Sequence, residues 1–241
     1  MGERQTVVLI HGLFGFSRIL WLEYFRGIRK LYASMGLRVL SPRLPWAGSI
    51  ETRSRVLARA LADEKRPLHL VAHSMGGLDA RHYITHGGGH ARVASLTTIA
   101  TPHRGSAAAD HVCDHLLPMV VFPGVRTLTR KRIAEFNRNT PDHEAVHYFS
   151  YAASRPIEEQ PWITRHYGRL IEAAEGANDS QVSLVSARWG RHVQDLHADH
   201  FELIGRNFWF NPFRKRQSFD HMPLYREIGE RILAFPMAEH C

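Results

Sequence analysis

A serine lies where an apolar stretch of the sequence gives way to a helical pattern. Residues 68–72 are mainly apolar and are followed at once by the segment 73–77 (HSMGG). A serine between a strand and a helix, flanked by small residues, is typical of a nucleophile elbow, a tight turn that lifts the hydroxyl above a sheet. The usual pattern is G-x-S-x-G, and Ala72 in its first position adds one methyl group. The segment therefore predicts Ser74 as a nucleophile.

A second glycine-flanked turn follows the first apolar run of the chain. Residues 6–10 (TVVLI) lead directly into residues 11–15 (HGLFG). Acyl transfer through a tetrahedral intermediate needs hydrogen-bond donors where the oxyanion forms, and the loss of one donor typically costs about 2.7 to 4 kcal/mol. We expect the main-chain N–H groups of Leu13 and Met75 to be these donors.

A serine hydroxyl is a weak nucleophile until a base takes its proton, so a histidine and an orienting carboxylate are also required. Where the nucleophile follows a strand in this way, the acid precedes the base along the chain. Asp179 lies in a polar turn after a helical pattern, and His200 follows just ahead of an apolar run. We predict that these two residues are the partners of the serine. Asp195 or Asp199 as the acid and His221 as the base remain open alternatives.

Apolar runs alternate with helical patterns along the chain. Strands are predicted at residues 6–10, 37–41, 68–72, 93–100 and 146–151, and helices at 19–34, 52–64, 75–85, 167–175 and 223–233. This alternation indicates an α/β fold in which helices flank a mainly parallel central sheet. Ligands of such sheets bind beyond the carboxyl ends of the strands, which is where the candidate residues lie.

Residues 106–140 interrupt the alternation. They combine an apolar helical pattern with prolines and a basic run, and the stretch is too long for an ordinary connection. We predict that it is a lid or cap inserted over the strand ends of a single domain formed by residues 1–241. The alternative is that this stretch is an ordinary surface segment that does not cover the strand ends.

Composition excludes several classes of protein. Hydrophobic residues make up 44% of the chain and charged residues 22%, as in ordinary globular domains. The net charge is +8, but the basic residues are spread along the chain and do not predict a nucleic-acid partner. No apolar run approaches the roughly 20 residues of a transmembrane span. Without a recognisable signal peptide we expect a cytoplasmic location, or a secreted one if a signal was removed.

Five motifs stand out along the chain: residues 11–16 (HGLFGF), 72–77 (AHSMGG), 101–106 (TPHRGS), 178–179 (ND) and 199–202 (DHFE). Together they resemble the Pseudomonas-type bacterial triacylglycerol lipases of the α/β-hydrolase superfamily. The resemblance implies an α/β-hydrolase fold with a lid, and an esterase or lipase that cleaves acylglycerols through an acyl-enzyme intermediate at a lipid–water interface. It also implies the catalytic set Ser74, Asp179 and His200, with Leu13 and Met75 in the oxyanion hole.

The resemblance has further implications for substrate and metal binding. We expect Phe14, Phe16 and His73 to contact the lipid or ester substrate. No cofactor is expected for catalysis, but family members often hold a structural calcium ion near the catalytic histidine. Glu202 stands at the position of one calcium ligand, and Glu158 or Glu159 lies near the position of another. Two carboxylates alone do not establish a site, because Ca²⁺ takes 6 to 8 oxygens, so a structural calcium ion remains an open alternative.

Two other functions remain open at this stage. The same site would also serve an esterase for short soluble esters, thioesters or polyesters. A protein of another class, a non-catalytic relative that binds a lipid surface or a protein through its basic face, would not need the serine, acid and histidine together.

Overall fold

A parallel sheet lies at the centre of the protein. The computed structural model describes residues 5–15, 18–19, 22–64, 67–115, 122–209 and 216–236. In this part of the chain the sheet strands are β1 (Thr6–Ile10), β4 (Arg38–Leu40), β5 (Leu68–His73), β6 (Val93–Ile99), β7 (His147–Ser154) and β8 (Arg191–His197). They pair in the order β4-β1-β5-β6-β7-β8, and every pairing is parallel. Two short strands, β2 (Arg18–Ile19) and β3 (Leu22–Glu23), form a separate antiparallel pair.

Helices cover both faces of the sheet. They are α1 (Ile28–Ser34), α2 (Ile50–Ala60), α3 (Gly76–His86), α4 (Ala107–His115), α5 (Pro123–Thr127), α6 (Arg130–Asn139), α7 (Arg165–Glu175), α8 (Leu184–Ala187) and α9 (Met222–Leu233). Helices α1 and α9 pack on one face, whereas α2 and α3 pack on the other. Among the described residues, no helix combines the length and the apolar character that a bilayer crossing requires.

The alternation of side chains along β1 explains the two cores. Val7 and Leu9 point to the face covered by α1 and α9, and Val8 and Ile10 point to the face covered by α2 and α3. All four side chains are buried, because helices protect each face of the parallel sheet from water. The carboxyl ends of β1, β5 and β6 are thereby fixed side by side, at the edge where the candidate residues follow.

The element predictions are confirmed for most of the chain. All five predicted strands form, with shifts of a few residues at their ends, and the helices predicted at 52–64, 75–85, 167–175 and 223–233 correspond to α2, α3, α7 and α9. Two predictions failed. The helix at 19–34 begins only at Ile28, because Gly27 directly before it has φ 77° in the left-handed region. Strand β8 was missed, because at the sheet edge its side chains are mostly exposed and form no apolar run.

The segment predicted as a lid contains α4, α5 and α6 in its described part. Residues 116–121 of this segment lie outside the described residues. The carbonyl of Gly105, directly before the segment, accepts a hydrogen bond from the Ser186 hydroxyl, 2.6 Å away. The segment is therefore joined to α8, which lies beyond β7 in the chain.

Candidate active site

Ser74 lies in the turn between β5 and α3. Its φ of 56° falls in the left-handed region, which residues other than glycine adopt only under constraint. Two hydrogen bonds from the β6 side supply that constraint. The Ser74 N–H donates to the carbonyl of Ile99 (3.0 Å), and the Thr101 hydroxyl donates to the carbonyl of Ser74 (2.7 Å). The turn is thus fixed at both its amide and its carbonyl.

Small residues make this turn possible. A β-carbon on Gly76 would lie 2.6 Å from the carbonyl oxygen of Ile10, and one on Gly77 would lie 2.3 Å from Oγ1 of Thr101. Neither position has room for a side chain, so α3 approaches the sheet more closely than any other residue type would permit. Ala72, at the first position of the motif, is fully buried in the core and accommodates its methyl group.

The turn after β1 lies against the serine. A β-carbon on Gly12 would fall 2.7 Å from Cβ of Ser74, so the two turns are in direct contact. Phe14 has a left-handed φ of 54°, which tightens the turn directly after Leu13. Within the described part of the chain, the N–H groups of Leu13 and Met75 donate to no other residue. Two unused donors therefore flank the serine.

Asp179 and His200 form a buried pair. Oδ2 of Asp179 lies 2.7 Å from Nδ1 of His200, and the His200 N–H donates to the Asp179 carbonyl at 2.9 Å. The other carboxylate oxygen accepts the N–H groups of Gln181 (2.9 Å) and Val182 (2.8 Å). This arrangement keeps the imidazole proton on Nδ1 and leaves Nε2 as an acceptor.

Ser74 and His200 line the same cavity, whose volume is about 600 Å³. Its wall is largely apolar and includes Leu13, Phe14, Ala108, Ala109, Val112, Val125, Leu128, Val182, Phe201, Ile204 and Phe208. The described structure contains no direct hydrogen bond between the serine hydroxyl and the imidazole. Such hydrogen bonds are often long without substrate and shorten when substrate binds.

The alternative acids and base are engaged elsewhere. Asp195 pairs with Arg188 and with His192 (2.9 Å) on the exposed edge strand β8. Both oxygens of Asp199 are hydrogen-bonded away from the imidazole of the buried pair. His221 lies 2.8 Å from the carbonyl of Arg26 through its Nε2. The fold therefore brings together Asp179 and His200, and none of these alternatives lines the cavity that contains Ser74.

Of the predicted substrate contacts, Phe14 and His73 line the cavity, and Phe16 lies outside the described residues. Phe14 is 43% exposed and packs with Trp46 and Phe122, with ring centroids 5.5 and 5.6 Å away. Of these three aromatic residues, only Phe14 lines the cavity, and the other two rings support it from behind.

The sequence patterns did not identify Tyr24, which joins the turn after β1 to the serine turn. The Gly12 N–H donates to the Tyr24 hydroxyl (3.2 Å), and that hydroxyl lies 2.8 Å from Nδ1 of His73. Burial raises the pKa of Tyr24 to about 12, and burial with the nearby His200 lowers the pKa of His73 well below its usual value. Tyr24 and His73 are therefore both neutral. No pattern signalled this role, because Tyr24 falls within the segment predicted to be helical.

A buried ion pair stabilises the turn after β1. Nε of Arg53 lies 2.8 Å from Oδ2 of Asp79, and Nη2 of Arg53 donates to the carbonyl of His11 (2.6 Å). Burial raises the pKa of Asp79 to about 7, an effect that Arg53 opposes. Burial, together with Arg53, lowers the pKa of His11 to about 4. His11 is thus neutral at the base of the turn that carries Leu13.

The residues at the predicted calcium position do not fit that ion. The buried side chain of Glu202 pairs with Arg155 (3.2 Å) and Arg216 (2.9 Å). Glu159 also pairs with Arg155 (2.8 Å), while the carbonyl oxygen of Glu158 accepts from Arg165 (3.1 Å). In the part of the chain that the structure covers, no group of three or more acidic, histidine or cysteine side chains is arranged to hold a metal ion.

A serine at a strand–helix turn of a parallel sheet, with an aspartate–histidine pair opening on the same cavity, defines an α/β hydrolase. The model of the alpha/beta hydrolase family matches residues 7–228. The chain belongs to this family. It is 33% identical to triacylglycerol lipase 2 of Saccharomyces cerevisiae over 90% of this chain and 71% of the yeast protein. It is 25% identical to the triacylglycerol lipase of Pseudomonas fragi over 96% and 97% of the two chains.

Solved structures show the same fold. A metagenomic carboxyl esterase superimposes with a TM-score of 0.81 at 19% identity, over 95% of this chain and 75% of that one. The mature lipase of Bacillus licheniformis superimposes with a TM-score of 0.73 at 22% identity, over 83% and 86% of the two chains. At these identities the likeness concerns the fold alone.

Proposed function

We propose that this protein is a serine hydrolase that cleaves carboxylic esters of acylglycerols through an acyl-enzyme intermediate. The observation that carries the proposal is the 2.7 Å contact between Asp179 and His200, which opens on the cavity that Ser74 also lines. The similarity to triacylglycerol lipases over most of the chain supports an acylglycerol ester as the substrate class.

The first half of the reaction forms the acyl-enzyme. Nε2 of His200 takes the proton of the Ser74 hydroxyl as its oxygen attacks the ester carbonyl carbon. Asp179 holds the imidazole in the correct tautomer and stabilises the imidazolium that forms. The carbonyl oxygen becomes an oxyanion, which the N–H groups of Leu13 and Met75 stabilise. When the carbon–oxygen bond of the leaving alcohol breaks, His200 returns the proton to that alcohol.

The second half releases the acid. Water enters the site, His200 takes its proton, and the hydroxide attacks the acyl carbon at the same position. The intermediate collapses, Ser74 regains its proton from His200, and a carboxylic acid leaves. Every proton movement in this sequence uses a side chain of the protein or water, so we propose no cofactor.

The cavity has the shape and chemistry for an acyl chain. Its apolar wall begins at Leu13 and Phe14 beside the serine and continues along Ala109 and Val112 of α4. Burying a methylene group against such a wall contributes about 0.8 kcal/mol, which favours long chains. Residues 106–140 act as the lid, because α4, α5 and the segment after α5 supply one side of this wall. With the lid included, residues 1–241 form one α/β-hydrolase domain.

Labelling with a fluorophosphonate probe tests the proposal. The wild-type protein is expected to react, and peptide mapping is expected to find the label on Ser74. The Ser74→Ala variant is expected to lose the label and nearly all cleavage of p-nitrophenyl esters. Ser34→Ala is the matched control, because its hydroxyl bonds to the carbonyl of Leu31 on α1 and should not matter. Full ester cleavage by Ser74→Ala would overturn the proposal.

A series of p-nitrophenyl esters from acetate to palmitate, with and without an emulsion, tests the substrate class. Peak activity on long chains with a gain at the emulsion surface is expected. Peak activity on acetate or butyrate without that gain would instead show an esterase for short soluble esters, with the catalytic set unchanged.

A further inference from the structure

Two buried arginines lie beside the segment that carries His200. Arg155 directly follows β7, and Arg216 comes from a distant part of the chain, but their side chains are only 4% and 2% exposed. Both contact carboxylates that are buried as deeply. We call this group the arginine–carboxylate cluster, and its members are Arg155, Arg216, Glu159, Asp199 and Glu202.

Glu202 is surrounded by donors. Its Oε1 accepts from Nη2 of Arg216 and from the Phe219 N–H, both at 2.9 Å. Its Oε2 accepts from Nε of Arg155 at 3.2 Å and from the Asp199 N–H at 3.0 Å. Oε1 also accepts from Nη2 of Arg155 at 3.5 Å, so each oxygen has at least two hydrogen-bond donors and neither is left to face a cation.

The carboxylate oxygens of Asp199, the residue directly before His200, also accept several hydrogen bonds. Its Oδ1 accepts the N–H groups of Phe201 (2.9 Å) and Glu202 (3.0 Å), and its Oδ2 accepts from Nη1 of Arg216 (2.9 Å). The main-chain hydrogen bonds fold residues 199–202 into a tight turn. Arg216 also stabilises that turn through its hydrogen bond to Asp199.

The arginines supply the positive charge that a cation would bring. A guanidinium stays charged in proteins, and two of them balance the two fully buried carboxylates, Asp199 and Glu202. The cluster also joins the end of β7 to the segment after residue 215, since Nη2 of Arg155 donates to the carbonyl of Gln217 (2.9 Å). Three distant parts of the chain thus meet around the turn that carries His200.

We propose that Arg155 and Arg216 are positioning residues that hold the His200 segment in the place of a divalent cation. The protein is then independent of calcium for both its fold and the orientation of the imidazole. The part of this inference that concerns turnover rests on the proposed function, whereas the part that concerns stability does not.

The first test uses the wild-type protein with calcium and with a chelator. Thermal unfolding and ester cleavage are expected to be the same in both, and titration calorimetry with calcium chloride is expected to detect no stoichiometric binding. A lower Tm in chelator, or one bound calcium ion per chain, would overturn the proposal. This test depends on no variant.

The second test removes the charges. Arg155→Gln and Arg216→Gln each leave a buried carboxylate uncompensated, so each is expected to lower the Tm by about 10 °C. Where turnover is measured, kcat is expected to fall roughly 10²-fold while KM changes less, because the imidazole moves but the part of the cavity wall formed by α4 and by the turn after β1 remains. The corresponding substitutions to Lys, which keep the charge, are expected to recover part of the Tm.

The double variant Arg155→Gln with Arg216→Gln removes both buried positive charges. Asp199 and Glu202 then have no ion-pair partner, so the Tm of this variant is expected to fall below that of either single variant. Arg188→Gln is the matched control, because Arg188 pairs with Asp195 on an exposed edge and its loss should leave the Tm unchanged. Unchanged Tm values in the single variants, or a double variant as stable as the wild-type protein, would contradict the inference.

Discussion

The carbonyl oxygen of His200 lies 3.1 Å from Nε2 of His73, the residue directly before Ser74. A carbonyl only accepts hydrogen bonds, so the proton of His73 is on Nε2, and Nδ1 accepts from the Tyr24 hydroxyl. The Tyr24 oxygen in turn accepts from the N–H of Gly12. The directions of these hydrogen bonds are therefore fixed, and they link the turn after β1, the serine turn and the histidine segment.

Tyr24→Phe is expected to weaken this link. The substitution keeps the ring but leaves the Gly12 N–H and Nδ1 of His73 buried without a partner, which costs about 1 to 3 kcal/mol for each unsatisfied group. We expect a lower free energy of unfolding in urea. We also expect a lower kcat for ester cleavage, because the turn after β1 and the serine turn are no longer joined.

Tyr32→Phe is the matched control for this experiment. Tyr32 is also buried, but in the described part of the chain its hydroxyl has no hydrogen-bond partner. Removing that oxygen is expected to leave both stability and kcat unchanged, or to raise stability slightly. Equal losses in the two variants would show that the Tyr24 hydroxyl has no special role.

Asp179→Asn tests the acid. An amide in place of the carboxylate no longer stabilises the imidazolium and favours the wrong tautomer of His200, which in sites of this kind lowers kcat roughly 10⁴-fold. The KM is expected to change little, because Asp179 is buried behind the imidazole and does not line the cavity. Steady-state kinetics on a soluble ester measures both constants.

The control for the acid is Asp195→Asn. Asp195 is one of the two alternative acids of the sequence, but it pairs with Arg188 at the exposed edge of the sheet. Its substitution is expected to leave kcat within a factor of about two, since exposed ion pairs contribute little. The assignment of Asp179 fails if Asp195→Asn is the variant that loses activity.

Buried neutral histidines are expected to destabilise the protein in acid. Burial is the main cause that lowers the pKa of His11 and of His69 from 6.5 to about 4. Burial also lowers the pKa values of His73 and His103 well below 6.5. A histidine whose pKa is lower in the folded state binds a proton first in the unfolded state. Its contribution is therefore complete above pH 6.5 and is lost as the pH falls towards 4.

The size of this effect is measurable. Each unit of pKa difference corresponds to about 1.4 kcal/mol, so His11 alone accounts for about 3 kcal/mol of the stability that is lost between pH 6.5 and 4. Urea unfolding at a series of pH values is expected to show a falling free energy between pH 6.5 and 4. His69→Asn, at a position outside the cavity, is expected to make the free energy of unfolding depend less steeply on pH, by the equivalent of about one bound proton. A flat profile in this range would contradict the prediction.

Local patterns were sufficient to find the residues that follow strands. Ser74 and Leu13 could be selected as candidates because buried parallel strands appear in the sequence as continuous apolar runs and the turns after them contain glycine. Asp179 and His200 were weaker predictions, because seventeen histidines offered alternatives and only the folded chain brings the two together. Tyr24 was hidden by the apparent helix at 19–34, whose pattern did not reveal the left-handed conformation of Gly27.

The arginine–carboxylate cluster had no local signal. Arg155, Glu202 and Arg216 are each unremarkable in their own segments, and their pairing depends on how β7, the His200 turn and the segment after residue 215 meet. The sequence indicated carboxylates near a possible cation but gave no sign of the guanidinium groups that bind them. Contacts between residues so far apart in sequence follow from the topology of the sheet and not from any periodic pattern.

Val112→Trp tests the course of the acyl chain. Val112 lies on α4 and lines the cavity of about 600 Å³, so an indole ring at this position is expected to fill space that a long chain would use. We expect the kcat/KM for palmitate esters to fall by at least a factor of about ten, while that for acetate esters stays the same, because the loss of two to three buried methylene contacts already corresponds to that factor. Val185→Trp is the control, because Val185 is 56% exposed on α8 and does not line the cavity. An unchanged ratio between the two esters in Val112→Trp would place the acyl chain along a different wall of the cavity and leave α4 without the proposed role in chain binding.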